Sequence, residues 1–185
     1  MRVIGGLARG RRLHSPRDRQ IRPTSDYLRE VLFDLLGQQV SGRSFLDLYA
    51  GTGAVGIEAL SRGAARAVFV EHERSALAWL RRNLEAAGFM EQAEVVPLEV
   101  LRYLRRAPST PRRFDLIFLD PPYRGVDATT ALSLIASTGL LAPAGMAILE
   151  RSARSVRIPA PQGTALVREV RHGDSILGLY CWEGA

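Results

Sequence analysis

Lysine is absent from this chain, and all 25 basic residues are arginine. The reading adopted for that absence is GC-rich coding, not an activity. Cysteine is nearly absent too: a lone Cys181 excludes an internal disulfide framework and any multi-cysteine zinc site. Set in an apolar strand, it reads as a small packed residue, not a nucleophile. The three histidines, His14, His72 and His172, stand at no metal-ligand spacing, so no metal is indicated. No apolar run approaches the ~20 residues of a bilayer span, and the arginine-rich start is no signal-peptide core. The expectation is therefore a soluble, cytoplasmic protein with no membrane contact. Repeats and low-complexity segments are missing, and Ser41, Ser61 and Ser133 sit in no nucleophile-elbow context.

What is present is 185 residues with 46% hydrophobic content, enough for one domain with a real core. The net charge of +6 is unevenly spread. Residues 1–22 hold seven arginines against the single acid Asp18, whereas the remaining chain balances eighteen arginines with eighteen acids. A neutral globule carrying a basic arm is the electrostatic footprint of a protein that meets a polyanion.

Thr24 reads as a helix N-cap, followed by Tyr27, Leu28, Val31, Leu32, Leu35 and Leu36 at helical spacing. From Ser44 onward, strands alternate with helices. Expected strands are Phe45–Tyr49, Ala67–Val70, Glu94–Val96, Phe114–Leu119 and Met146–Glu150, each continuously apolar and four of them leading into a helix. That pattern predicts an α/β fold with a mostly parallel sheet covered on both faces. Ala165–Arg171 and Ile176–Trp182, joined by a short turn, predict a terminal antiparallel hairpin.

Two motifs carry chemistry. Gly51-Thr52-Gly53-Ala54-Val55-Gly56 fits G-x-G-x-x-G at a strand-to-helix junction, with Glu71 twenty residues after Gly51. Several nucleoside cofactors use such a turn, with a carboxylate on the ribose. Asp47, four residues before Gly51, separates them: a carboxylate there would repel a pyrophosphate but suits the sulfonium and ammonium of S-adenosylmethionine. Ala50 belongs to the same turn; His72 could lie against the adenine, and Glu99 with Val100 could meet its amino group and ring.

The second motif, Asp120-Pro121-Pro122-Tyr123, follows the fourth strand at the edge where open α/β sheets bind ligands. An exocyclic amine of a base is a poor nucleophile because its lone pair is delocalised. Accepting its two hydrogens at the Asp120 carboxylate and the Pro121 carbonyl would localise that pair, while Pro122 stiffens the loop and Tyr123 offers a stacking face.

Together, Arg9-Gly10-Arg11-Arg12-Leu13, Arg22-Pro23-Thr24-Ser25-Asp26, Arg29–Phe33, Asp47–Ala64, Asp120–Tyr123 and His172-Gly173-Asp174 resemble the RsmD family along the whole chain. The resemblance implies a Rossmann-like methyltransferase with a seven-stranded sheet and a C-terminal antiparallel hairpin. It implies transfer of a methyl group from S-adenosylmethionine to the exocyclic N2 of one guanine, position 966, in the 16S rRNA of the small ribosomal subunit or its assembly intermediate. On that basis residues 1–22 form a short basic N-terminal β-extension that binds RNA, and 23–185 the methyltransferase domain. Arg9, Arg11 and Arg12 would contact RNA, with Arg22 and Thr24 bordering the active site.

Glu99 departs from the family's commoner Asp or Asn, Asp34 from Asn and His172 from Tyr. Competing readings are an adenine-N6 nucleic-acid methyltransferase, a glutamine methyltransferase, a dinucleotide-dependent oxidoreductase and a non-catalytic assembly factor. No DNA-reading module is present, DNA is not expected as partner, and nothing demands more than a monomer.

Overall fold

The computed structural model describes residues 1–15, 26–106, 112–122 and 126–183, apart from the side chains of 126 and 127. They fall into two compact units, residues 1–98 and 99–185. The expected boundary at 22/23 lies outside the described residues.

In the first unit, α1 (Asp26–Leu36) runs into a 3-10 turn (Gly37–Val40). Strands β1 (Ser44–Leu48), β2 (Arg66–Glu71) and β3 (Ala93–Pro97) alternate with helices α2 (Ala54–Ser61) and α3 (Arg74–Ala87). All three strands are parallel and β2 lies in the middle, pairing Phe45 with Ala67 and Ala67 with Ala93. Every residue of β1 is buried, the apolar Phe45, Leu46 and Leu48 together with Ser44 and Asp47. Helix α3 shows how local sequence sets its limits. The Glu73 side chain accepts the Ser75 N–H at its start, and Gly88 ends it at φ 80°, the left-handed conformation that glycine adopts without a Cβ penalty. Its inward face is Ala76, Leu77, Leu80, Asn83, Leu84 and Ala87.

Helix α2 is buried along all eight residues, so its polar side chains need partners within the protein. The chain start supplies them. Glu58, with no exposed surface, accepts the N–H of Ile4 (2.8 Å) and of Gly5 (2.7 Å). It also accepts from Arg62 Nε at 2.9 Å and faces the buried Arg29 at 3.6 Å. Ser61 Oγ accepts the Ala8 N–H (2.9 Å) and donates to Gly5 O (2.5 Å). Residues 1–13 close on themselves through Val3 N–H to Arg11 O (3.0 Å), Gly10 N–H to Val3 O (2.9 Å) and an antiparallel bridge between Arg2 and Arg12. Val3, Ala8 and Leu13 are each at most 3% exposed. The basic start of the chain is thus built into the hydrophobic core, with its arginines outward.

The second unit holds α4 (Val100–Arg106), β4 (Phe114–Leu119), α5 (Val126–Thr138), β5 (Leu141–Ser152), β6 (Thr164–His172) and β7 (Ser175–Trp182). β4 and β5 are parallel; β7 pairs antiparallel with both β5 and β6, and the β6–β7 turn is Gly173-Asp174. Strand β5 begins at Leu141, five residues before the expected Met146. The cause is a bulge: Leu141 pairs with Phe114 and Met146 with Leu116, so Ala142–Gly145 loop out between them. A Cβ at Gly145 would meet Leu141 Cδ1 at 2.8 Å and Asp115 O at 3.0 Å, so only glycine fits there. Pro143 and Gly145, which hide the strand from an apolar-run reading, are the residues that shape the bulge. Among the described residues no helix is long and apolar enough to cross a membrane.

Replacing Glu58 with Gln keeps the shape but leaves Arg29 without its buried carboxylate and turns an amide donor toward one of the two backbone N–H groups. Removing one partner of such a buried pair costs about 3–5 kcal/mol. Urea unfolding should show a loss of that size, and native-state trypsin digestion should show faster cleavage within residues 1–12. Unchanged cleavage would mean the arm is held by its apolar contacts alone.

Candidate active site

The turn from β1 into α2 occupies residues 49–53 and is too tight for ordinary backbone. Tyr49 is the one described non-glycine residue with positive φ (61°), and Gly51 (55°) and Gly53 (81°) share that left-handed region. The glycines answer different demands. A Cβ on Gly53 would lie 2.2 Å from Leu80 Cδ1, and one on Gly56 would lie 2.3 Å from the Phe69 ring and 3.0 Å from Asp47 Oδ2. Gly51 faces open space, with nothing nearer than 4.0 Å. Gly53 therefore permits close packing on α3, Gly56 on β2, and Gly51 permits the turn with room above it.

Two carboxylates fix this turn. Glu71, at the end of β2, accepts the Gly51 N–H (2.9 Å) on one oxygen and the N–H groups of His72 (2.7 Å) and Glu73 (2.8 Å) on the other. A carboxylate offers roughly four lone-pair sites, so about one is left for a ligand hydroxyl. Asp47 is 1% exposed, and its Oδ2 accepts the Gly56 N–H at 2.9 Å, bracing the first turn of α2. Burial pushes its carboxyl up to about 7; the Gly56 N–H opposes the rise and the Glu71 charge adds to it. Ala50 donates to Val70 O (3.1 Å) and accepts from Gly53 (2.8 Å). The His72 ring is largely exposed, with Nδ1 3.5 Å from Glu71 Oε1. Asp47, Ala50, Gly51, Gly53, Glu71 and His72 thus form one cluster in the first unit.

Sequence reasoning missed Asn83, the only asparagine in the chain. It has no exposed surface. Its amide donates to Thr52 O in the glycine turn (2.9 Å) and to His14 O (2.9 Å), and accepts the His14 N–H (2.7 Å). One side chain of α3 thereby fastens the basic arm and the glycine turn together. The available signal was a poor helix former on the apolar face of a helix, a position that needs a reason.

In the second unit, Asp120 follows β4 directly and is half-buried, Pro121 is buried and Pro122 exposed. Tyr123 lies outside the described residues, as do Arg22 and Thr24. The two prolines border a cleft of ≈ 570 Å³, lined also by Thr129, Glu150, Arg151 and Val156. That volume is in the range of small-ligand pockets. Arg151 Nη2 pairs with Glu169 at 2.9 Å, while its Nη1 donates to Ser152 O and Ser155 O (3.3 and 3.4 Å). The exposed Glu99 caps α4, accepting the N–H of Leu101 (3.0 Å) and Arg102 (2.8 Å), and Val100 is buried. Cys181 is half-buried, and burial pushes its thiol up. Arg9, Arg11 and Arg12 are all exposed.

The family model described as "Conserved hypothetical protein 95" matches residues 1–181. The chain belongs to this, the RsmD family. It is 35% identical over 182 residues to "Ribosomal RNA small subunit methyltransferase D" of Escherichia coli K12, covering 97% of this chain and 89% of that protein. The structure of a hypothetical protein from Thermus thermophilus superposes with a TM-score of 0.82 at 34% identity, covering 97% and 98% of the two chains. A SAM-dependent methyltransferase from Agrobacterium tumefaciens shares the fold alone, with a TM-score of 0.63 at 16% identity over 83% of this chain and 61% of that one. The RsmD-family fold is accordingly a seven-stranded mixed methyltransferase fold ending in antiparallel strands, as expected.

Asp47 carries a pH signature. Its folded-state value of about 7 lies above the ordinary 3.8, so the folded protein holds a proton that the unfolded chain releases. The resulting stabilisation is whole below about pH 4 and is lost as pH rises through about 7. Unfolding free energies of the parent minus those of Asp47→Asn, measured between pH 4.5 and 8, should therefore fall with pH and level off above it. A flat difference would show that Asp47 titrates normally. Asn83→Ala removes three bonds at once and should cost about 2–4 kcal/mol. Amide exchange should rise together at residues 51–53 and at His14; a rise at only one of the two would disprove the link.

Proposed function

We propose that this chain transfers a methyl group from S-adenosylmethionine to the exocyclic N2 of a guanine in 16S rRNA, the guanine at position 966. The observation that carries the reading is Asp120-Pro121-Pro122 at the end of β4, its two prolines bordering a cleft roomy enough for a nucleoside, in a chain 35% identical to a protein named for small-subunit rRNA methylation.

The first unit's cluster fits a sulfonium cofactor better than a dinucleotide. The Gly51 N–H, which a pyrophosphate would need, is already engaged by Glu71, and both side chains fixing the turn are acids, with no cation among them. Bound there, S-adenosylmethionine would supply an electrophilic methyl group on sulfur. Asp47 would act through the turn it braces, Glu71 would retain one lone pair for a ribose hydroxyl, and the open space over Gly51 would admit the ligand backbone. His72, Glu99 and Val100 would border the adenine, with Glu99 contributing through its cap of α4.

On the acceptor side, Asp120 takes one N2 hydrogen and the Pro121 carbonyl the other, restoring nucleophilic character to the nitrogen lone pair. Pro122 and Tyr123 hold the base. The nitrogen becomes a cationic ammonium as the C–S bond breaks, and its surplus proton leaves to water. No strong base is needed, and positioning supplies most of the acceleration. Arg9, Arg11 and Arg12, with Arg22 and Thr24, would face RNA phosphate; the substrate is the small subunit or its assembly intermediate, and the working state a monomer.

The decisive experiment incubates the protein and labelled methyl donor with small subunits from a strain lacking the modification, then maps the label. One labelled guanine N2 is expected. Asp120→Ala should lower the rate at least about 100-fold while S-adenosylhomocysteine affinity stays within about twofold by calorimetry. Label on adenine, on protein, or nowhere would overturn the assignment, the last in favour of a non-catalytic RNA-binding factor.

A further inference from the structure

We propose that the outward face of α3, with His14 laid against it, is a second RNA contact: a stacking platform for one unpaired base, flanked by arginines for its phosphates. The proposal rests on the RNA-substrate reading above and adds to it a base-stacking surface on α3.

Trp79 is the centre. The buried face of α3 is complete without it, so this large ring is turned outward and left half-exposed. The His14 ring lies nearly parallel to it, with centroids 6.3 Å apart and 19° between planes. Arg82, one helical turn on, sets its guanidinium 5.8 Å from the Trp79 centroid. Arg11 reaches the same helix and donates to Ala86 O at 2.8 Å. Asn83, four residues after Trp79, holds the His14 backbone by two hydrogen bonds and so fixes its ring where it lies.

The charges on this face are left for a ligand. Arg11 and Arg82 are exposed, and among the described residues neither forms an ion pair. Glu85 is the only acid within α3 itself. A half-exposed indole bordered by a second ring and a guanidinium suits a base whose π-face is free, and the exposed guanidiniums of Arg11 and Arg82 suit the phosphates beside it. Duplex RNA buries its base faces, so the occupant is a single-stranded or looped segment.

Trp182→Phe leaves Trp79 as the only tryptophan of the two in the chain, and its fluorescence then reports on the platform. The probe is a short single-stranded RNA of mixed sequence, compared with the same strand annealed to its complement. Quenching by the single strand and much less by the duplex is expected. Trp79→Leu, which keeps an apolar side chain but no π-face, should weaken single-strand binding about tenfold, and Arg82→Ala severalfold with a shallower salt dependence. Trp79→Phe should stay within about threefold of the parent.

Trp79→Leu binding within twofold of the parent, with its melting temperature preserved, overturns the platform. So does equal quenching by duplex. If those results come from a protein that still methylates small subunits, the platform fails and the functional reading stands. If the parent binds neither RNA and labels no subunit, the functional reading itself has failed.

Discussion

A carboxylate with no exposed surface, at the centre of a helix buried on every side, sets the terms for the first half of this protein. Glu58 can remain there only if backbone amides and guanidinium groups replace its water. The Ile4 and Gly5 amides, Arg62 and Arg29 do so. Because two of those donors are backbone of the chain start, its path is dictated by α2. Ser61 repeats the requirement one turn later with Gly5 and Ala8. A basic segment that charge alone would describe as a solvated arm is therefore a structural layer, and its exposed arginines are presented from fixed backbone. Binding RNA on a prepositioned segment loses less ordering entropy than binding on a free tail.

That layer meets the glycine turn through Asn83. Thr52 O and both backbone groups of His14 share one amide side chain. Displacing the arm would release a bond to the glycine turn, and loosening the turn would release the arm. In thermodynamic terms the arm and the glycine turn are linked, because each is ordered in part by the same amide.

The sequence made the sheet legible because its information is local. β1, β2 and β4 are short apolar runs, the glycine turn is six consecutive residues, and Asp120-Pro121-Pro122 adjoins its strand. The physical reasons for the glycines were less visible: Gly53 and Gly56 answer to Leu80 and Phe69, residues far along the chain. Glu58, Ser61 and Asn83 were missed for the same reason. Their partners lie between 31 and 69 residues away, and no periodicity marks a side chain that satisfies a distant backbone amide. β5 was read too short because its bulge requires the residues that ordinarily end a strand. Sequence placed Glu99 at an adenine; the structure shows its carboxylate accepting two N–H groups of the first turn of α4.

The missing lysine, which composition alone assigns to coding bias, has a structural side at three positions. Arg29 has no exposed surface and spreads its guanidinium over Arg2 O (2.9 Å), Asp26 (2.6 Å), Ala54 O (3.5 Å) and Glu58 (3.6 Å). Arg62 directs Nε to Glu58 while its planar head covers the Phe33 ring at 5.1 Å. Arg151 uses one terminal nitrogen for Glu169 and the other for two carbonyls. Arg29 and Arg151 use several donors in a fixed plane and Arg62 combines one donor with a flat head over a ring, which an ammonium on a flexible stem cannot reproduce, and a buried ammonium would shed its proton more readily than a guanidinium. At the exposed arginines no such demand exists, and there coding bias suffices. Composition and structure thus divide the explanation by burial: lysine would be tolerated over most of the surface, but not where a guanidinium fastens the chain start to α2 or the end of β5 to β6.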